Sequence, residues 1–176
     1  MRLFHEQGLR RTSIADVAKE AEVPVGNVYY YFKTKESLRD AVVERFMERQ
    51  QQLEERIEDD ERPERRLARF IQRTIDERNV LAAYGCPLGG LCAETCKADP
   101  DNAASTGRVF AAILDWMTTQ FRALGCGRAS RDHAVHLLSA LEGVSLLAGT
   151  FSDAKLVQRE GKRLQQWVTS FAEATR

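Results

Sequence analysis

Apolar residues recur along most of this chain at intervals of three and four, the spacing that gathers them on one face of an α-helix. Ile14, Val17, Ala18 and Ala21 share such a face, and Ser13 with Asp16 three positions on makes a capping box at its start. Glu22 to Pro24 breaks the pattern, because proline disfavours helix at the residue before it. A second short helix is expected from Val25 to Tyr31, with Pro24 near its first turn. Thr34 is the expected N-cap of a long helix striped by Leu38, Val42, Val43 and Phe46, which ends in the charged run QQQLEERIEDDERPERR with a turn at Pro63. Leu67, Phe70, Ile71 and Ile75 mark a helix over 64–79. The stretch AAYGCPLGGLCAETCKADPDN predicts a loop, a short helix from Pro87 to Lys97 and a turn at Asp99-Pro100. A long helix over 103–124 carries Val109, Phe110, Ile113, Leu114, Trp116, Met117 and Phe121 and is ended by Gly125 and Gly127. Two more helices are expected, over 131–150 and 154–174. The first is apolar nearly all round, so both its faces should be covered, one of them by a partner chain.

These elements predict an all-α chain, and four prolines and eleven glycines in 176 residues leave few positions to interrupt it. With 43% apolar and 30% charged residues, the chain resembles a soluble globular protein long enough to form a core without disulfides or metals. The 26 basic and 26 acidic residues cancel, and the N-terminal segment is only slightly basic. Bulk charge therefore does not argue for nucleic acid, and a motif must. No run of about 18 apolar residues is present, and MRLFHEQG has no signal-peptide core. A cytoplasmic location with no membrane partner is expected, with the four cysteines reduced.

The two short helices and their tight turn form a helix-turn-helix. On a helix, Val28, Tyr31 and Phe32 share a face that should be buried. Tyr29 and Tyr30 then point elsewhere, by about 100° and 200°, and are expected in solvent. An exposed tyrosine pair beside Lys33 and Lys35 fits contact with phosphates or bases.

Phe4, Gly8, Thr12-Ser13-Ile14, Val17-Ala18, Ala21, Val23, Gly26, Val28-Tyr29, Tyr31-Phe32, Lys35-Glu36 and Leu38 stand at the spacing of the TetR-type transcriptional regulators, which this segment resembles. The resemblance implies residues 1–45 as a DNA-binding domain and 46–176 as an effector-binding and dimerisation domain. It implies that the second short helix enters the major groove. Val25, Gly26, Asn27 and Tyr30 match positions that face DNA, while Tyr29 and Thr12 match phosphate contacts. Gly26 would allow close approach to the backbone. Lys35 starts the fourth helix, where its ammonium and the helix N-terminus can both meet phosphate. Two features depart from the family pattern. Pro24 replaces the usual Ser or Thr cap, which makes the groove surface more apolar, with a thymine methyl as one partner for Val25. The chain also starts closer to the motif than relatives do, so a short or truncated first helix is expected.

Beyond the motif, Phe70, Thr74, Tyr84, Cys92, Phe110, Leu114, Met117 and Phe121 are candidates to line a ligand cavity, or are ordinary core. Leu141, Val144, Leu147, Leu164, Trp167, Val168 and Phe171 are candidates for a homodimer interface, and Ala140, Gly143, Ala148 and Gly149 would let helices approach closely. A two-fold dimer implies a palindromic operator. Cys86, Cys92 and Cys96 are small core residues or, alternatively, redox sensors, with Cys86 before a proline at a helix start, where the dipole favours thiolate. The segment around Cys86 is similar to a Gly-Cys-Pro segment of some TetR-like regulators that respond to reactive compounds. Cys92, Cys96, His133 and His136 lack a zinc-knuckle spacing, so no metal and no cofactor is expected. No nucleophile–base–acid set and no phosphate-cradling loop is present, so the chain is not read as an enzyme. The expected function is a homodimeric repressor that binds double-stranded operator DNA and is released by a small-molecule effector. The alternatives are a thiol sensor or a ligand-independent architectural DNA binder.

Overall fold

A computed structural model describes residues 1–98 and 103–174, and every regular element among them is helical. The expected turn at Asp99-Pro100 lies outside the described residues. The chain divides into two compact units, one joining Met1–Glu48 to Pro87–Val109 and the other joining Arg49–Cys86 to Phe110–Arg176. Residues 87–109 therefore cluster with the N-terminal segment and not with the rest of 46–176.

The first unit holds α1 (Arg2–Gln7), α2 (Ile14–Glu20), α3 (Val25–Tyr31), the start of α4 (Lys35–Glu58), α7 (Pro87–Ala98) and the start of α8 (Ala103–Ala123). Each start has a chemical cause. Ser13 accepts from the Asp16 backbone and Asp16 returns the bond, completing the expected capping box. Thr34 Oγ1 accepts the Ser37 N–H at 3.1 Å, and the Ser37 hydroxyl accepts the Thr34 N–H at 3.3 Å, which fixes the entry to α4. Ala18, Val28, Leu38, Val42 and Val43 are buried.

The second unit holds the end of α4, α5 (Pro63–Asp76), α6 (Arg78–Tyr84), the remainder of α8, α9 (Ser130–Phe151) and α10 (Ala154–Ala174). The single helix expected over 64–79 is two helices. The chain turns at Glu77, whose carbonyl accepts the N–H groups of Val80 and Leu81, and the new direction buries Leu81 and Ala82. The Gly- and Cys-rich loop accordingly begins only after Tyr84. Leu67, Phe70, Ile71 and Ile75 form the buried face of α5, as their spacing requires. That face meets α10, the most extensive helix pairing in this unit. Gln165 Nε2 donates to Ala68 O and Gln72 Oε1, each at 3.0 Å, and pins the pair. Arg66 Nε donates to Asp60 O at 2.6 Å and its Nη1 to the buried Gln120 at 3.2 Å, joining the end of α4 to α8 through α5. Gly127–Phe151, which includes α9, is long and apolar enough to cross a membrane by length and composition, but here it packs on α6 and α10.

Gly161 sets how closely α10 approaches α5. A Cβ there would lie 2.5 Å from Ile75 Cγ1 and 2.8 Å from its Cδ1. Gly161→Ala should destabilise the fold by about 1–3 kcal/mol through overpacking. Chemical denaturation measures this, and the added substitution Ile75→Val should restore part of the loss.

Candidate nucleic-acid interface

The α2–α3 turn is tight because its backbone bonds close it. Val23 N–H donates to Ala18 O at 3.0 Å, and Asn27 N–H donates to Pro24 O at 2.9 Å. Glu22 takes up the left-handed conformation at φ 55° to make the corner. Pro24, at φ −56°, then leads into α3 without a side-chain cap.

One side of α3 is anchored. Val28 is 7% exposed and Phe32 is half-buried. Tyr31 does not share that burial. It is 74% exposed, against 73% for Tyr30 and 49% for Tyr29. It sits on the last turn, and it meets Tyr30 edge-on at 5.1 Å between ring centroids, where core packing had been expected. Lys33 Nζ stands 6.0 Å from the centroid of the Tyr30 ring. Val25, Gly26 and Asn27 are exposed on the same helix, and a Cβ on Gly26 would meet nothing within 4 Å. Five of the seven residues expected at DNA thus lie together on one exposed short helix, and Tyr31 and Lys33 join them. Spacing assigned Tyr31 to the core because it could not show that no neighbour covers that side.

The other two are placed differently. Thr12 is fully buried, and its hydroxyl donates to Gly8 O at 2.7 Å and accepts from Gln7 Nε2 at 3.2 Å. It holds the turn before α2 and does not present a phosphate ligand. Lys35 is half-buried, and its ammonium donates to Arg10 O at 2.7 Å, leaving its other two N–H groups for further partners.

Residues 1–42 match the model for the bacterial regulatory proteins of the tetR family. The N-terminal segment belongs to the TetR family. Its sequence is 39% identical over 46 residues to the HTH-type transcriptional repressor KstR2 of Rhodococcus jostii, covering 26% of this chain and 22% of that protein. That match spans about a fifth of the relative's length. The fold is that of a TetR transcriptional regulator from Legionella pneumophila, with a TM-score of 0.82 at 18% identity, covering 94% of this chain and 90% of that one. It is also that of Escherichia coli NemR in its reduced form, with a TM-score of 0.75 at 20% identity, covering 94% and 90%.

In the second unit, many of the expected cavity residues are packed core. Met117 and Phe121 are fully buried. Phe121 lies 5.5–5.6 Å from the rings of His133, Trp167 and Phe171, and His136 meets Trp167 edge-on at 5.0 Å. The two histidines are thus members of an aromatic cluster. Thr74, Phe110 and Leu114 are half-buried, Tyr84 is half-exposed, and Cys92 belongs to the other unit. Phe70 packs on Trp116 at 5.6 Å, and Trp116 has a buried indole N–H with no hydrogen-bond partner among the described residues.

The expected dimer residues also divide. Leu141, Val144 and Val168 are covered within their own chain, while Trp167 and Phe171 are half-buried in the aromatic cluster. The expected close approach through Gly149 occurs inside the chain, where a Cβ would meet Gly85 N at 3.3 Å and Leu81 O at 3.4 Å. Leu147 remains 47% exposed, and Leu146 and Phe151 are exposed beside it. Leu147, Leu164, Gly143 and Leu156 line a groove of about 400 Å³ between α9 and α10.

Cys86 directly precedes α7, while Cys92 is half-buried and Cys96 exposed. Burial pushes the Glu142 carboxyl above its ordinary range, and the Cys86 thiol, donating to it, opposes the shift. A raised folded-state pKa gives stability that is complete below the unfolded value and is lost as pH rises through the folded one. Glu142→Gln should therefore flatten the decline in stability above the ordinary carboxylate range, with its gain over the wild type growing with pH. Urea midpoints across pH 4–8 measure this.

Proposed function

We propose that this TetR-family chain is a cytoplasmic homodimeric transcriptional repressor that binds a palindromic operator and leaves it when a small-molecule effector binds the second unit. The observation that carries the DNA reading is the exposed face of α3, where Val25, Gly26, Asn27, Tyr29 and Tyr30 stand in solvent on a helix anchored only by Val28 and Phe32. So much exposed aromatic surface on a seven-residue helix fits a partner with apolar base edges and stacked or phosphate-bearing surfaces. Lys35 and Lys33 supply cations beside it. A second copy fits the α9–α10 groove, where Leu147, Leu164, Arg159, Glu160 and Arg163 combine apolar area with charges of both signs, as a self-complementary surface requires. For the effector, the unpaired Trp116 N–H beside Phe70 favours a molecule with an aromatic or apolar body and one acceptor atom.

Footprinting and gel shifts test the reading. Tyr30→Ala and Lys35→Ala should each weaken operator binding about tenfold or more, while a protein that protects no defined sequence would be an architectural binder. Unchanged binding in both variants would remove α3 from the interface. Leu147→Asp should sediment as a monomer and lose cooperative half-site binding.

A second reading concerns the thiols. Cys86 directly precedes α7, where the helix N-terminus favours thiolate, and its S–H bond to Glu142 is a contact that oxidation or alkylation would break. Electrophile-induced release from DNA should then disappear in Cys86→Ser. Release that persists in that variant rules the reading out.

A further inference from the structure

We infer that Glu94, on α7 and outside the segment that carries the helix-turn-helix, is a positioning residue for the DNA-reading head. The inference rests on the DNA-binding reading above. Glu94 Oε2 accepts the Arg10 backbone N–H at 2.8 Å. Its Oε1 lies against Gly8, so close that a Cβ at that position would collide with the carboxylate. From the opposite side, Lys35 Nζ donates to the Arg10 carbonyl at 2.7 Å. Arg10 is thus held at both ends of its backbone, by a carboxylate from α7 and an ammonium from α4.

The gripped turn is the one that aims the head. Gly8 closes α1 at φ 82°, a conformation costly to any residue with a Cβ. Its carbonyl receives the buried Thr12 hydroxyl, and the next residue is Ser13, which caps α2. The helix α2 in turn packs on α3. The orientation of α3 therefore passes through residues 8–13, and Glu94 ties this turn to α7. A charge-assisted bond of this kind is roughly twice as strong as a neutral one and depends steeply on distance. A small displacement of α7 would release the Arg10 amide and loosen the aim of α3. Gly8 is then required twice, by its own backbone and by the approach of Glu94.

The test uses the full chain and a duplex selected from a random pool by that chain. Glu94→Ala should bind the selected duplex about tenfold more weakly, with its thermal unfolding still cooperative. Glu94→Gln keeps an acceptor oxygen and the same shape, so it should recover part of the affinity, and it serves if the alanine variant does not fold. Hydrogen exchange at the Arg10 amide should accelerate in Glu94→Ala. Gly8→Ala should also weaken binding, by less when Glu94→Ala is already present. Wild-type affinity in Glu94→Ala while Tyr30→Ala loses binding would overturn the inference and spare the DNA reading. Unchanged exchange at Arg10 would overturn it as well. Unchanged binding in both variants would remove α3 from the interface and the inference with it.

Discussion

A seven-residue helix has no stability of its own in water, because nucleation costs more than so few hydrogen bonds return. The TetR-family segment of this chain depends on meeting that constraint for α3 while leaving most of α3 uncovered. Val28 supplies the buried anchor and Phe32 supports it at the C-terminal end. The Ser13–Asp16 capping box holds the preceding helix, and the Val23-to-Ala18 bond closes the corner between them. Polar contacts then fix the turn before α2, where Thr12, Lys35 and Glu94 satisfy successive backbone groups. The outer face of α3 is free to be chosen for a partner because stability is supplied from beneath and behind it.

The second unit solves a different problem. Its helices run to 22 residues and bury continuous apolar faces, so packing density and not capping decides its geometry. Gly161 permits the α5–α10 approach, Gln165 pins it, Arg66 ties α5 to the buried Gln120 on α8, and Phe121 lies buried against the half-buried rings of His133, Trp167 and Phe171. Among the described residues of this unit one unsatisfied buried donor stands out, since leaving an N–H unpaired costs about 1–3 kcal/mol. Trp116 carries that donor. The outward face of α9, with Leu146, Leu147 and Phe151, has the opposite character, because it is apolar and uncovered. A buried polar orphan and an exposed apolar stripe are both unfavourable in an isolated chain, and each is relieved by a bound partner of complementary chemistry.

Much of the chain was legible from its residues, because helix formation and its punctuation are local. Three-and-four spacing, the Ser13–Asp16 pair, Pro24, Thr34, Pro63 and Pro87 each act within a few residues of themselves, and the helices they announce are present. The family resemblance of the first 38 residues was legible for the same reason and agrees with the family match over residues 1–42. The break at Glu77 was not legible, because nothing local forbids helix there and the bend follows from burying Leu81 and Ala82.

Which side of a helix is covered was decided only by the tertiary structure. Periodicity shows that residues share a face, but the neighbour that covers it comes from far along the chain. Tyr31 was expected in the core and stands in solvent, while Thr12 was expected outside and is sealed in. Leu141, Val144 and Val168 turn inward, and Leu147, from the same set, turns outward. Glu94, 84 positions from Arg10, reaches back to the turn before α2. The sequence by itself determined most of the helices and their ends, and the family of the N-terminal segment. The tertiary structure decided which of their faces remain exposed for a partner, because burial is a property of the elements brought together and not of any one of them.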